Sequence, residues 1–255
     1  MPEAHIEIEA EDGCIDAFIV CPDTGQPFAP ILLLSDSRGL RPAIEDMARR
    51  LAGEGFFVLA PDLFYRTGSS STDAEIRHGA VKAVLDPDGQ AEDFEAWLHT
   101  LEAERLVDDT RIGLLGYGVG AALALRLAAL HAERIAAAAV FYGGQPSLDE
   151  ARHLAACVNA VLHLGHAEGD TAGAGLLEAA LGREGVDFES LEYPGPRGFA
   201  VPDHPGYTPE AAARHWTNLT ELFRRTLGEP KSGPVSASGH SEDGILPQAS
   251  PRSLL

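Results

Sequence analysis

The chain has 255 residues, enough for one sizeable core, and its 45% apolar and 23% charged residues are ordinary for a globular protein. Its formal net charge of −20 argues against nucleic acid or an anionic membrane as partner; an anionic ligand would need a local arginine. Cys14, Cys21 and Cys157 fit no metal-ligand spacing and suit reduced thiols. Met1–His5 shows no basic-then-apolar leader, and no apolar run approaches the ~20 residues of a membrane helix, so a cytoplasmic protein is expected.

In chain order, His5–Glu9 and Cys14–Val20 flank Asp12-Gly13 and predict a β-hairpin. Ile31–Leu34 is a short buried strand, and Pro42 opens a helix to Ala52. Phe56–Ala60 is a second buried strand, ended by Pro61-Asp62. Two helical stretches follow, Thr72–Leu85 and Ala91–Ala103, then the strand Arg111–Leu115 and a helix Ala121–His131. Beyond them lie a strand Ile135–Tyr142, a strand Ala160–Leu164, a helix Gly175–Arg183, a strand Phe188–Tyr193 and a helix Pro209–Leu227.

Strands alternating with helices predict a mostly parallel sheet covered on both faces. Residues 1–228 form the expected single domain. From Glu229 the chain is rich in Ser, Gly and Pro without an apolar period, which predicts a disordered tail to Leu255.

The most informative stretch is Gly116-Tyr117-Gly118-Val119-Gly120, between a buried strand and a helix. Its spacing is that of a nucleophile elbow, G-x-S-x-G, in which a strained turn projects the central side chain into the active site. Here the centre is Gly118.

Three further stretches accompany it: Asp36-Ser37-Arg38-Gly39-Leu40-Arg41-Pro42, Ala60-Pro61-Asp62-Leu63-Phe64-Tyr65-Arg66, and Tyr193-Pro194-Gly195 followed by Val201-Pro202-Asp203-His204. Together the four resemble the dienelactone hydrolase (carboxymethylenebutenolidase-like) family of α/β-hydrolases, over roughly residues 5 to 228. The resemblance implies a central sheet of about eight strands and a Cys–His–Asp triad with its nucleophile at the elbow. At the implied positions this chain has Gly118 for the nucleophile and Glu168 or Asp170 for the acid. No histidine occurs in Gly195–Phe199, where Arg197 stands instead.

The oxyanion hole of such a fold is built from backbone N–H groups and survives loss of the nucleophile; by position its donors are Ser37 and Val119. Asp36, at the mouth of the site, is a candidate base or a loop cap. Tyr117 and Tyr142 are candidate acids or packed core rings. His204 is a candidate stand-in for the missing histidine. The resemblance gives Arg66 the role of engaging a substrate carboxylate, with Arg38 and Arg197 as weaker candidates and Tyr65 and Phe64 as pocket walls. His166 sits near Glu168 and Asp170 without a ligand spacing, and Cys157 reads as a buried small hydrophobe. No metal or cofactor is expected.

A pocket that stabilises an oxyanion without attacking it suits enolate chemistry: an isomerase, epimerase, lyase or cyclase acting on a small carbonyl or carboxylate compound. Two alternatives stand beside this reading. One is a catalytically inactive binding or scaffolding protein; the other is an ester or lactone hydrolase with an unconventional base such as Asp36 or His204.

Overall fold

The structure, a computed structural model, describes residues 1–24, 27–67, 74–143, 146–170 and 174–228, and of 74–78 the backbone alone. The expected tail 229–255, and residues 72 and 73 of an expected helix, lie outside the described residues.

The predicted hairpin forms from β1 (Glu3–Ala10) and β2 (Gly13–Val20), in register from Glu3 opposite Val20 to Ala10 opposite Gly13. Then come β3 (Pro30–Leu34), α1 (Pro42–Gly53), β4 (Phe57–Pro61), α2 (Ala74–Val84) and α3 (Pro87–Ala103). The second half is β5 (Ile112–Tyr117), α4 (Val119–Leu130), β6 (Ile135–Phe141), α5 (Leu148–Cys157), β7 (Val161–Ala167), α6 (Ala174–Glu184), β8 (Phe188–Tyr193) and α7 (Pro209–Leu227).

The eight strands make one sheet in the order β1-β2-β4-β3-β5-β6-β7-β8. β2 runs antiparallel to β1 and β4, and every other pairing is parallel. β3, β4 and β5 are buried along their whole length, as strands covered on both faces must be. One core lies between the sheet and α3 to α6; the other lies between the sheet and α1 with α7. α7 shows why its sequence folds this way. Ala211, His215, Trp216, Leu219, Leu222 and Phe223 recur at helical spacing and all face the sheet. Burying each large side chain of this set contributes roughly 2 kcal/mol before entropy is counted.

α5 was absent from the sequence-based expectation, and its signal is a capping box. Ser147 precedes the helix and Glu150 stands three residues on, with Ser147 Oγ accepting from the Glu150 N–H at 3.3 Å. Two helices also begin earlier than expected, α3 at Pro87 and α4 at Val119, directly on the elbow. Among the described residues no helix is long and apolar enough to cross a membrane.

Candidate active site

The elbow is present in backbone terms. Gly118 has φ 56° and ψ −113° between β5 and α4, a left-handed conformation that glycine adopts without a Cβ penalty. A Cβ at Gly116 would strike the Gly120 carbonyl, and one at Gly120 would strike the Leu34 carbonyl, so the flanking glycines let β5, α4 and β3 approach closely. Gly118 differs, because a Cβ there would meet only Asp36 Cβ, at 3.8 Å. The space for a central side chain is open. The N–H groups of Ser37 and Val119 have no hydrogen-bond partner among the described residues, and Val119 starts α4, whose dipole adds positive potential there.

Arg41 ties the loop after β3 to the loop after β8. Its guanidinium donates to Asp36 Oδ1 at 2.8 Å and Oδ2 at 3.1 Å, to Asp203 Oδ2 at 2.8 Å and Oδ1 at 2.9 Å, and to the Gly39 carbonyl at 2.9 Å. Asp36 Oδ1 also accepts from the Arg38 N–H at 2.9 Å. Arg38 Nη1 adds contacts to the Asp203 carbonyl at 2.9 Å and to its carboxylate at 3.1 Å. Burial disfavours the Arg41 cation, but the two carboxylates outweigh it and raise its pKa; Asp203, hydrogen-bonded by Arg41, is held below the usual carboxylate range.

Tyr142 follows β6 at φ 40°, left-handed for a bulky residue and therefore strained. Its ring packs on Phe199 and Tyr117, and its buried hydroxyl has no hydrogen-bond partner among the described residues. Burial, with the Asp36 charge second, pushes the phenol well above its ordinary pKa, so it stays a proton donor. On the neighbouring loops Arg197 grips Asp170, with Nε 2.7 Å from Oδ2 and Nη2 2.8 Å from Oδ1.

The sequence pattern of the dienelactone hydrolase family matches residues 15–227. The chain belongs to that family. It is 30% identical over 235 residues to a Methylorubrum extorquens protein provisionally named carboxymethylenebutenolidase, a match covering 87% of this chain and 80% of that one. A Yersinia pestis protein of the same provisional name is 30% identical over 230 residues, covering 82% and 83%. A Klebsiella pneumoniae structure provisionally titled dienelactone hydrolase superposes with a TM-score of 0.78 at 22% identity, over 88% of this chain and 98% of that one. The Anabaena variabilis dienelactone hydrolase does so with 0.68 at 20%, over 88% and 97%. At such identities the structural likeness shows the shared α/β-hydrolase fold alone.

In this dienelactone hydrolase family member, Asp170, one of the two candidate acids, is ion-paired with Arg197, which stands in the segment where the resemblance implies a histidine. Glu168, the other candidate acid, is occupied elsewhere: its carboxylate accepts from the Gly195 N–H at 3.2 Å.

Four expected site residues are turned to other work. Arg66 donates to Asp93 at 2.7 and 2.8 Å and to Asp12 at 2.9 Å, and Tyr65 donates to the same Asp93 at 2.7 Å, so both bind toward α3 and the β1–β2 turn. The expected carboxylate anchor is therefore already filled by the protein's own carboxylates. Tyr117 is fully buried against α7, its hydroxyl 2.8 Å from His215 Nε2. His204 accepts from the Gly206 N–H at 3.0 Å and packs where a Cβ on Gly198 would lie, which makes it a support of its own loop.

Of the other expectations, Phe64 is core and Cys157 is half-buried at the end of α5. His166 hydrogen-bonds Ser190 at 3.0 Å, beside Glu178. The structure puts Asp36 beside Gly118, with Ser37 next to Asp36 and Val119 next to Gly118 in the chain, and packs Tyr142 on Tyr117, the residue before the elbow centre. Arg41 was missed: a polar residue before a helix-opening proline carries no sign of a carboxylate 162 positions away.

Proposed function

We propose that this chain acts without the nucleophile–histidine pair of its family, as a non-hydrolytic enzyme that stabilises the enolate or oxyanion of a small carbonyl compound. One observation carries the reading: the elbow keeps its backbone geometry while Gly118 leaves the nucleophile's space open. The free N–H groups of Ser37 and Val119 supply two donors for a developing negative oxygen, where such donors are worth most in a site shielded from water. Tyr142 supplies the proton donor, and Asp36, beside Gly118 and with one hydrogen bond to Oδ2 among the described residues, the acceptor. An arginine paired to Asp170 cannot take a proton from a nucleophile, because a guanidinium stays charged.

The carboxymethylenebutenolidase names of the relatives favour a lactone or ketone as the carbonyl compound. The test is solvent-deuterium exchange at carbons next to the carbonyl, followed by NMR for methyl levulinate and for butenolides. Exchange that is lost in Tyr142→Phe supports the reading. No exchange with any of them sinks it.

A second reading, an inactive binding protein, is favoured by the pairing of every arginine named at the mouth with a carboxylate. In that case ligands bind but exchange nothing. Steady nitrophenol release from p-nitrophenyl acetate, abolished by Asp36→Asn, would instead establish a hydrolase with an unconventional base.

A further inference from the structure

Resting on the proposed carbonyl site, we propose that its ligand is uncharged, so that this chain excludes the carboxylate-bearing lactones named in its relatives. The charges at the mouth are already matched one for one. Arg41 is held by Asp36 and Asp203, Arg38 by Asp203, and Arg197 by Asp170. Arg66, the cation that the sequence offered for a carboxylate, is held by Asp93 and Asp12. To reach any of these cations, an incoming carboxylate must displace one of their partners and leave it facing the same site, in a protein whose net charge is −20.

Displacement is hardest where the pairs are bidentate and shielded. The side chains of Arg41 and Asp36 are 12% and 8% exposed, and each partner uses both of its forked ends. The two free N–H groups favour a negative oxygen that develops from a neutral carbonyl, where no full charge has to be stripped of water on entry.

A neighbouring cleft has the same character. At the carboxyl ends of β6 and β7, Leu125, Val140, Leu164 and Leu177 wall a space of about 30 Å³ beside Asp170. An engineered cavity that takes benzene measures about 150 Å³, so this one admits a methyl- or ethyl-sized group and no ring. Its polar lining is Asp170 and His166, and His166 Nε2 is already bonded to Ser190, so the cleft offers no cation to a second carboxylate.

The experiment compares matched acids and methyl esters: levulinate with methyl levulinate, and carboxymethylenebutenolide with its methyl ester. Binding at pH 7 is read by calorimetry, and the site by the amide NMR shifts of Gly118 and Val119. The esters are expected to bind at least tenfold tighter than the acids. In Asp170→Asn, which frees Arg197, the preference for ester over acid should fall at least threefold. Acids binding as well as the esters, with shifts at Gly118 and Val119, would overturn the inference and leave the carbonyl site standing. Binding by neither member of either pair would remove the site itself and both readings with it.

Discussion

Arg197 and Asp170 face each other across the loops that follow β8 and β7, joined by two hydrogen bonds of 2.7 and 2.8 Å. On the proposed reading, this pair stands where a histidine and an acid would meet, and its guanidinium does not exchange protons near neutrality as an imidazole does. Arg197 is half exposed, so the pair's worth in stability is small and its consequence lies in chemistry.

This pairing sets an order for restoring hydrolysis. Gly118→Ser alone should gain no turnover of p-nitrophenyl acetate, since the Arg197 guanidinium cannot take a proton from the hydroxyl and Asp36 is held by Arg41. Because φ is 56°, that change should cost ~1–3 kcal/mol, a fall of roughly 2–12 °C in melting temperature. Gly118→Ser with Arg197→His should release nitrophenol above either single change.

Arg41 holds two loops and two carboxylates, so Arg41→Ala should destabilise the protein by about 3 kcal/mol, measured by urea unfolding. Arg41→Lys should recover only part of the loss, because one ammonium cannot make two forked pairs. An alanine variant within about 0.5 kcal/mol of the parent would show the clamp to be idle.

Tyr142→Phe removes a buried hydroxyl that has no partner among the described residues. Its stability should equal or exceed the parent's, within about 1 kcal/mol, because no hydrogen bond is lost and a desolvated group is gone. Deuterium exchange at the substrate carbon should fall at least tenfold. A marked loss of stability would mean that the hydroxyl has a partner in solution.

Arg66→Ala should behave in the opposite way. Asp93 is buried and keeps only Tyr65, so the melting temperature should drop, by about 2–4 °C for each kcal/mol lost. Ligand binding at Gly118 and Val119, read by NMR, should be unchanged. Weakened binding would return Arg66 to the site.

Stability should fall on mild acidification through His215. Burial, reinforced by the charges of His163 and Arg50, lowers its pKa to about 3, against 6.5 for the free imidazole. At pH above 6.5 neither state is protonated and stability is complete. Below it the unfolded chain takes up a proton that the folded one refuses. Stability is then lost at ~1.4 kcal/mol per pH unit until the pH nears the folded value. His163, lowered chiefly by burial, adds in the same direction. Urea unfolding at pH 6.5 and 4.5 should differ by about 2–3 kcal/mol from His215 alone, and His215→Phe should flatten that slope.

Much of the fold was legible because its signals are local. Asp12-Gly13 marks the hairpin, Pro42 opens α1, and the apolar runs of β3, β4 and β5 mark a covered parallel sheet. α5 was not expected, although Ser147 and Glu150 form a local helix-start signal. The site was legible only in part. Tyr117 stands beside Gly118 in sequence, yet strand alternation turns it to the opposite face, onto His215.

The sequence by itself determined that Gly118 occupies the elbow and that no histidine follows Tyr193 before Phe199, because residue identity at a position needs no coordinates. It also determined the alternation of strands and helices, through apolar runs and turn residues that act over a few positions. Only the tertiary structure decided which charges are spent. Arg41 reaches Asp203, Arg197 reaches Asp170 and Arg66 reaches Asp93 through contacts between residues 27 to 162 positions apart. Such pairings depend on where the loops of a folded sheet converge, and no local pattern in the chain encodes them.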